Sequence, residues 1–421
     1  MARKMKDSGI EWIGEIPEGW EVSKLKYLGR YVNGYPFKPD DWGDKGKPII
    51  RIQDLTGSND SPNYYDGDID AKYHIKNGDI LVSWAATLDA FIWNKGDGLL
   101  NQHIFKAIPQ EEKITSYFFF WMIKEAMQNM NNDNKHGIFM QHVTLDVFNN
   151  FSVPLPPLSE QKRIATYLFQ KISEADIMLD DTLSSITGYK KLKQAVITQA
   201  VTKGVRGERE MKDSGVEWIG EIPKEWVCEK IKYATSISRG LFNHRPRNDE
   251  RYYNGKYPFI QTGDVANATK YIVSYSQTLN ELGKSVSKEF PKGTLTMTIA
   301  ANVGDVAILN FDAYFPDSVV GFIPNKNIRT LYLFYVFSAM KDEFTRTAIK
   351  STQLNLNIDR VKETFIPVTH DSNEQSEIEN YLESKCAEID GLIAKKEQLV
   401  KELESYKKSS IYEVVTGKRE V

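Results

Sequence analysis

The sequence repeats itself at a distance of about half its length. Residues 5–20 read MKDSGIEWIGEIPEGW and residues 211–226 read MKDSGVEWIGEIPKEW, so thirteen of sixteen positions are identical at an offset of 206 residues. Solenoid repeats are only about 20 to 50 residues long, because each unit must stack on its neighbours to bury a core. The long period instead predicts two homologous modules, each large enough to fold, that share one type of activity.

The size and composition of the chain allow several domains. Its 421 residues are 41% hydrophobic, enough for two to four domains with cores of their own. No run approaches the roughly 18 to 20 apolar residues of a membrane helix, and the opening MARKMKDSG lacks the apolar stretch of a signal peptide. We therefore expect a cytoplasmic protein. Cys228 and Cys386 occupy non-matching places in the two halves, which argues against disulfides or a thiolate metal site.

Both halves have the same two-part organisation. Each begins with a mixed segment of short strands separated by turns, such as residues 48–53 and 76–82 in the first half. The counterparts in the second half are residues 257–262 and 291–297, in the same order. A long helix follows in each half, so the duplication extends well beyond the opening motif.

Local signals mark the ends of the two long helices. The first is expected to begin after the prolines of residues 154–157, with Ser159 as its N-cap, and to end near Gly204. The second is expected to begin at Ser372, where Ser372 and Gln375 make a capping box, and to end before Gly417. Each would contain about 45 residues, far more than a typical globular helix.

Helices of this length need a partner, and the apolar seams of the two helices have a coiled-coil spacing. We predict an α+β fold in which two homologous mixed α/β domains are separated by two long antiparallel helices in a pseudo-twofold arrangement. The predicted boundaries are 1–157 for the first domain, 158–204 for the first helix, 205–370 for the second domain and 371–421 for the second helix.

Motifs for catalysis are not found in the sequence. Gly283-Lys284-Ser285 has Thr278 at the position where a nucleotide-binding loop requires glycine. Asp70 and Lys72 imitate the spacing of a metal-dependent nuclease, but the pattern is short and the second half lacks a copy. The six histidines show no metal-binding spacing beyond chance. We expect a non-catalytic chain that binds no metal or cofactor itself.

Clustered charge and polar turns point to nucleic acid. The net charge is only −3, but residues 230–256 contain seven Lys or Arg against two acidic residues, with aromatic residues between them. Arg, Asn and Gln in turns are suited to hydrogen bonds with base edges in the major groove. The candidates in the first half are Arg51, Gln53, Ser83, Asn101, Gln102, His103, His136 and Gln141. Those in the second half are Arg239, His244, Arg245, Arg247, Gln261, Thr298, Asn302, Lys350, Gln353 and Asn355. Each of them can also be an ordinary solvated turn residue, and Gln53 with Asp54, or Asp264, can simply cap strands.

These features together resemble the specificity subunit of Type I restriction-modification systems. The resemblance rests on the SGxEWIGEIP openings at Ser8 and Ser214 and on the continuations KLKY at residues 24–27 and KIKY at residues 230–233. It also includes the helix entries PLPPLSEQ at residues 154–161 and NEQ at residues 373–375. The second entry departs from the proline-rich form, since residues 366–372 read IPVTHDS.

The resemblance implies a non-catalytic DNA-reading subunit whose two target recognition domains each contact one half of a bipartite, interrupted sequence. The helices would set the spacing of the half-sites and would dock two modification subunits, which use S-adenosylmethionine to methylate adenine. Two restriction subunits, which are ATP- and Mg-dependent translocase-nucleases, would complete the restriction complex. A different class of function is also compatible with the residues: a non-enzymatic protein-interaction scaffold whose two domains read a carbohydrate or a peptide.

Overall fold

The computed structural model describes residues 3–58, 61–133, 143–347, 349–350 and 354–421. The chain divides into two compact units. Unit 1 consists of Met1–Thr182 and Gln398–Val421, and unit 2 consists of Leu183–Glu397. Each unit combines one module with parts of both long helices, whereas the sequence-based boundaries set each helix apart as a segment of its own.

In the described residues of unit 1, the module is built from short strands and three helices. The strands are β1 (Met5–Asp7), β2 (Glu15–Pro17), β3 (Glu21–Lys24), β4 (Gly29–Asn33), β5 (Lys47–Ile50), β6 (Asn63–Tyr65), β7 (His74–Ile75), β8 (Ile80–Ser83), β9 (Asp89–Ile92), β10 (Gly98–Leu100), β11 (Ile104–Pro109) and β12 (Ser152–Leu155). The helices are α1 (Ile52–Thr56), α2 (Ser116–Asp133) and α3 (Leu145–Asn150), with 3₁₀ turns at Leu25–Tyr27, Pro39–Asp41 and Ala71–Tyr73.

The module of unit 2 repeats this plan with additions. Its strands are β13 (Met211–Asp213), β14 (Glu221–Pro223), β15 (Val227–Lys230), β16 (Thr235–Arg239), β17 (Tyr253–Phe259), β18 (Tyr271–Ile272), β19 (Gln277–Leu279), β20 (Glu289–Phe290), β21 (Leu295–Thr298), β22 (Val306–Leu309), β23 (Ala313–Tyr314), β24 (Val319–Pro324), β25 (Ile349–Lys350), β26 (Leu354–Asn355) and β27 (Phe365–Val368). Its helices are α5 (Ile231–Ala234), α6 (Thr262–Ala266), α7 (Glu281–Ser285), α8 (Thr330–Ala339), α9 (Lys341–Thr347) and α10 (Ile358–Glu363), with a 3₁₀ turn at Glu250–Tyr252.

Corresponding sheets of the two modules have the same strand order. Unit 1 contains the four-stranded sheets β4-β11-β8-β9 and β6-β5-β10-β7, and unit 2 contains β16-β24-β21-β22-β18 and β19-β17-β23-β20. The pair β3–β12, which closes the first module, has its counterpart in β15–β27. The duplication seen in the sequence is therefore a duplication of the fold, to which unit 2 adds β18 at the edge of one sheet.

The two long helices are α4 (Leu158–Lys203) and α11 (Ser372–Val415), of 46 and 44 residues. Their lengths confirm the prediction, and so does Gly204, which follows α4 with a φ of 71°. The predicted caps are wrong. The amides of Glu160 and Gln161 already bond to the carbonyl of Pro157, so Ser159 lies inside the first turn. Asp371 rather than Ser372 caps α11, because its carboxylate accepts the amide of Asn373.

The helices run antiparallel, as predicted. In unit 1 the start of α4 shares a core with the end of α11, and Lys407 pairs with Asp176. In unit 2 the end of α4 shares a core with the start of α11, and Lys193 pairs with Asp390 at 2.7 Å. Asp176 and Asp390 are matching positions of the two halves, as are Lys193 and Lys407, so the same ion pair occurs once in each unit.

The repeated motif fastens each module to the start of a long helix. In unit 1 the indole N–H of Trp20 donates to Glu160 at 2.9 Å, and Arg3 pairs with that carboxylate while lying 5.4 Å from the centre of the indole. Burial of Glu160 would raise the pKa of its carboxyl, but the hydrogen bonds from Arg3 and Trp20 outweigh burial and lower it. This buried contact explains why the tryptophan is repeated.

Unit 2 reproduces the same three-residue arrangement. The indole of Trp226 donates to Glu374 at 2.9 Å, and Arg209 binds the carboxylate at 2.6 Å with its guanidinium 5.4 Å from the ring centre. Arg3 and Arg209 are 206 residues apart, like the two tryptophans, so the structural repeat begins at the arginine.

A buried glutamine completes each junction. The amide of Gln161 donates to the carbonyls of Lys113 and Pro156, and its oxygen accepts the amide of Thr115 at 2.8 Å. Gln375 makes the same three contacts in unit 2, with Asn327, Thr369 and Arg329. These contacts use the side chain of Gln375, so it is not available for the capping box predicted with Ser372.

Glu125 of α2 carries a buried carboxyl group in unit 1. The residue is 5% exposed, and its Oε1 accepts a hydrogen bond from Asn129 at 2.9 Å, while Oε2 is buried without a partner among the described residues. Burial raises the pKa of the carboxyl to about 7. The folded protein thus holds this proton at pH values at which the unfolded chain has released it.

We expect Glu125→Gln to remove a pH dependence from the stability of unit 1. Because the pKa is raised on folding, the stabilisation is complete below the unfolded pKa of about 4.5 and is lost as pH rises through about 7. The loss amounts to at most about 3 kcal/mol. Glutamine mimics the protonated acid, so urea unfolding at pH 8 should show a more stable variant, and unfolding at pH 4.5 little difference. The exposed Glu111→Gln is the control, and an equal pH profile for Glu125→Gln and the unsubstituted protein would contradict the assignment.

Candidate nucleic-acid interface

Several predicted base-reading residues of unit 1 meet at the loop between β10 and β11, residues 101–103. The backbone amide of Asn101 donates to the carbonyl of Ile50 at 3.3 Å, and the amide of Gln102 donates to the carbonyl of Tyr35 at 2.9 Å. The carbonyl of His103 accepts a hydrogen bond from the amide of Trp84 at 3.1 Å. The loop is thereby tied to the segments that follow β4, β5 and β8. We call residues 34–35, 51–53, 83–85 and 101–103 the first loop cluster.

Two backbone hydrogen bonds of this region recur at matching positions of unit 2. The amide of Gly240 bonds to Val319 at 2.9 Å, as that of Gly34 bonds to Ile104 at 3.0 Å in unit 1. The amide of Ile299 bonds to Ser318 at 2.9 Å, which matches the bond from Trp84 to His103. Residues 239–241, 261–263, 298–302 and 316–318 form the second loop cluster. The equivalence places Asp317 where unit 1 has Gln102.

One glycine in each cluster permits the close approach of these segments. A Cβ on Gly34 would lie 1.9 Å from the carbonyl oxygen of Asn101, and a Cβ on Gly240 would lie 2.2 Å from that of Pro316. Such contacts are with backbone atoms, which cannot swing aside as a side chain can. The two glycines are 206 residues apart, so the sequence repeat contains a signal for them that the motif search did not use.

Gly240→Ala is expected to displace the 316–318 loop, because the backbone must move by more than an ångström to accept the methyl group. The expected cost is about 1–3 kcal/mol of stability in unit 2, with loss of whatever ligand the second cluster binds. Unfolding in urea and ligand binding measure the two effects. Gly207→Ala is the matched control, since Gly207 lies in unit 2 outside the second loop cluster and its Cβ would meet nothing within 4 Å. Equal behaviour of the two variants would show that the close approach is unimportant.

The first cluster presents an aromatic and basic surface. The guanidinium of Arg51 lies 5.4 Å from the ring centre of Trp42, which is 44% exposed. Gln102 and His103 are exposed, and the His103 ring lies 4.9 Å from that of Trp84. His103 has a φ of 73°, a left-handed conformation that places its side chain away from the strand path. Trp42 and Trp84 were not among the predicted site residues.

Two predicted reading residues are buried, and we correct their assignment. Ser83 is 0% exposed and its hydroxyl donates to the carbonyl of Ala85 at 3.1 Å. Thr298, its counterpart in unit 2, is also 0% exposed and its hydroxyl donates to the carbonyl of Asn302. Each hydroxyl fixes the turn after its strand, so neither side chain faces solvent.

The remaining candidates of the first cluster differ in exposure. Gln53 is exposed on α1, whereas Asn101 is partly buried and its Oδ1 has no partner among the described residues. Asp54 does act as a cap, but of a helix, because its carboxylate accepts the amide of Arg51 at 2.8 Å at the start of α1. Asp264 has the same role in α6 and accepts the amide of Gln261 at 2.8 Å.

In unit 2 three arginines gather around Asp317. Its carboxylate pairs with Arg247 and lies 3.8 Å from Arg245, and its carbonyl accepts a hydrogen bond from Arg239. The three arginines were predicted as site residues, but Asp317 was not. Its role becomes visible only in the folded chain, because it lies about 70 residues beyond Arg247 in sequence.

The basic stretch of residues 230–256 is less positive in the fold than in the sequence. Lys230 and Lys232 both pair with Glu363, which lowers the pKa of that carboxyl to about 2. Hydrogen bonds from Arg251 hold the pKa of Asp249 well below its usual range. Lys256 pairs with Glu281 at 3.4 Å. The stretch therefore carries less net positive charge than its sequence suggests, because Glu363 and Glu281, which are distant in sequence, pair with its lysines.

The other predicted residues of unit 2 lie in or near the second cluster. Gln261 bonds through its side-chain amide to Gln277 at 2.8 Å, and Asn302 is exposed in the turn after β21. His244 stacks on Tyr252 with ring centres 3.9 Å apart and pairs with Asp249 at 3.0 Å. One face of the His244 ring is therefore covered by Tyr252.

Five predictions concern a segment that precedes Val143 in unit 1 and Leu356 in unit 2. The amides of Val143 and Leu356 bond to the carbonyls of Trp84 and Ile299 in the loop clusters. The predicted residues His136, Gln141 and Gln353 lie outside the described residues. Lys350 and Asn355 lie on the paired strands β25 and β26, and the positions of their side chains are also outside what the structure describes.

The nuclease-like pattern has a structural role. Asp70 accepts the amide of Lys72 and pairs with its ammonium at 3.2 Å, on an exposed 3₁₀ turn. Within the described parts of the chain, no group of three or more His, Cys, Asp or Glu side chains is arranged to hold a metal ion. Over the same residues, none of the helices combines the length and apolar character needed to cross a bilayer.

Comparisons with known proteins agree with the duplicated architecture. The family model described as the Type I restriction modification DNA specificity domain matches the chain twice, at residues 17–186 and 237–402. The chain therefore belongs to this family of Type I restriction-modification specificity subunits.

Two curated relatives match over nearly the whole chain. The type I restriction enzyme EcoBI specificity subunit of Escherichia coli is 24% identical over 414 residues, which cover 93% of this chain and 84% of the relative. The putative type I restriction enzyme MjaX specificity subunit of Methanocaldococcus jannaschii is 27% identical over 428 residues, or 96% and 95% of the two chains.

Solved structures show the same fold. A chain from a study of complex assembly and conformational transition in the type I R-M system superposes with a TM-score of 0.74 at 16% identity, covering 95% of this chain and 98% of the other. The HsdS subunit from Thermoanaerobacter tengcongensis superposes with a TM-score of 0.51 at 15% identity, covering 96% and 98%.

Proposed function

We propose that this chain is the subunit that selects the DNA sequence for a Type I restriction-modification complex. Each module reads one half of a bipartite, interrupted target, and the chain directs adenine methylation, and restriction, by partner subunits. The chain itself carries out no catalysis. S-adenosylmethionine, ATP and Mg²⁺ are used by the partners.

The main support for the proposal is that the two loop clusters share backbone contacts but present different side chains. Two backbone hydrogen bonds recur at matching positions of the two loop clusters, and so does the glycine that allows the close approach. At matching positions, however, unit 1 has Gln102 and His103 where unit 2 has Asp317 and Ser318. Proteins that read two unlike half-sites need this combination, since base edges are distinguished by the donors and acceptors opposite them.

Apolar side chains on the long helices support docking of two modification subunits. In unit 1, Ile177 and Met178 of α4 are 60% and 52% exposed, and Tyr406 of α11 is 40% exposed. In unit 2, Leu192 of α4 is 49% exposed and Tyr381 of α11 is 40% exposed. Leu192 and Tyr406 are matching positions of the two halves. A helix that already packs its seam and still exposes large apolar residues offers a surface for another protein.

The helices also supply a fixed spacing in this proposal. Half-sites are read from one face of the duplex only at particular separations, because B-DNA turns once in about 10 base pairs, or about 34 Å. A continuous α-helix of 46 residues is stiff over this scale, at about 1.5 Å per residue. Two modules attached to such helices would accept one gap between the half-sites.

DNA binding by the chain together with its modification subunits tests the proposal against the scaffold alternative. The logarithm of the affinity for duplex DNA should fall linearly with the logarithm of salt concentration. If about six phosphates are engaged, affinity should fall on the order of 10³-fold between 50 and 200 mM salt. Binding that is indifferent to salt, or that prefers a glycan or a peptide to DNA, would contradict the proposed function.

A further inference from the structure

Asp317 of unit 2 lies among Arg239, Arg245 and Arg247, and we call these four residues the Asp317 cluster. Its arrangement of charges is not required by packing alone. Asp317 is 37% exposed on its side chain, and Arg247 and Arg245 are 45% and 55% exposed, so the group lies at the surface. One carboxylate faces two guanidinium groups, and a third arginine, Arg239, bonds to the Asp317 carbonyl instead. The cluster therefore keeps a net positive charge while one of its arginines is held in a fixed direction.

Within the cluster, Arg247 is the arginine best positioned to bind a ligand. Its Nη2 donates to Asp317, which is its only side-chain hydrogen bond among the described residues. The hydroxyl of Tyr253 donates to the Arg247 carbonyl and fixes the backbone. A guanidinium has five N–H donors, so most of those on Arg247 remain for a ligand. Arg245 differs, because its Nη1 is already bonded to the carbonyls of Phe242 and His244 at 2.7 and 2.8 Å.

We propose that Arg247 reads a guanine in the half-site bound by unit 2 and that Asp317 is the positioning residue that aims it. This inference rests on the proposed function, because it requires that the second loop cluster faces DNA. Guanine offers O6 and N7 as paired acceptors in the major groove, and the fork of an arginine matches them. Holding the guanidinium before binding reduces the side-chain entropy lost on contact. Unit 1 has Gln102 at the position of Asp317, so the two half-sites differ in the base read there.

The test maps methylated adenines in DNA modified by the full chain with its modification subunits, for the unsubstituted chain and for Arg247→Ala and Asp317→Asn. The unsubstituted complex should require guanine at one position of one half-site. Both variants should lose preference at that position alone, by about 5- to 100-fold, while the other half-site stays unchanged. Arg251→Ala is the matched control, because Arg251 pairs with Asp249 rather than Asp317 and is 77% exposed. It should leave every base preference as it was.

A second measurement does not depend on folding of the variants. Binding of the unsubstituted complex is compared on duplexes that carry 7-deazaguanine, which lacks the N7 acceptor, at each guanine of the target in turn. One guanine in the half-site of unit 2 should weaken binding by about 5- to 100-fold. The inference is overturned if that half-site contains no essential guanine, or if Arg247→Ala and Asp317→Asn keep the original preference. The proposed function fails separately, if the unsubstituted complex shows no bipartite motif at all.

Discussion

Replacing residues 22–153 by the corresponding segment of another family member should change one half of the methylated motif completely and leave the other half unaltered. The reason is that the segment contains the whole first loop cluster, while Trp20, Glu160 and Gln161, which fasten the module to α4, lie outside it. The ends of the segment lie side by side, because β3 and β12 pair around Val22 and Pro154. The chain can therefore be spliced there with little disturbance of the core.

The reciprocal replacement of residues 228–367 supplies the control, since Cys228 and Pro367 are paired in the same way on β15 and β27. It should alter only the half-site that the first replacement leaves unchanged. Methylated adenines in DNA from cells that express each hybrid with its modification subunits give the readout. A change in both half-sites from either replacement would show that the modules do not read DNA independently.

Lengthening the helices by one turn should change the gap between the half-sites and neither half-site itself. Four residues inserted after Gly188 of α4 add about 6 Å and rotate the following residues by only about 40°, so the helix faces are nearly preserved. A matching insertion near Lys395 of α11 keeps the helices paired, because Lys193 and Asp390 show that Gly188 lies opposite this position. The expected change is one or two base pairs, at about 3.4 Å each.

Gly188→Ala is the control for this experiment. A Cβ on Gly188 would meet nothing within 4 Å, so the substitution should leave both the spacing and the half-sites unchanged. Motif mapping by sequencing of methylated adenines measures both variants. If the insertion variant methylates DNA with the original gap between the half-sites, the helices do not set that spacing.

The parts of the fold that local chemistry decides were predictable from the sequence. Prolines before α4 and Gly204 after it define a helix whose observed length agrees with the expected one. The repeat correctly indicated two homologous modules. The helix starts also agree with the prediction. The predicted caps were wrong because tertiary contacts compete with local capping: Gln375 uses its side chain on Asn327, Thr369 and Arg329 instead.

The candidate site was less predictable, because it depends on contacts between residues far apart in sequence. In the sequence Ser83 and Thr298 are polar residues next to turns, but the fold buries both and bonds their hydroxyls to nearby carbonyls. The charge of the basic stretch depends on acids that arrive from elsewhere, such as Asp317 and Glu363. Gly34 and Gly240, by contrast, could have been found by aligning the two halves beyond the opening motif.

The central claim is that two modules on one chain read two separate stretches of DNA for partner enzymes. The most direct test is to sequence the methylated adenines in DNA modified by this chain together with its modification subunits. We expect a motif of two defined half-sites separated by a constant number of unspecified base pairs. A single uninterrupted motif, or methylation without sequence preference, would contradict it.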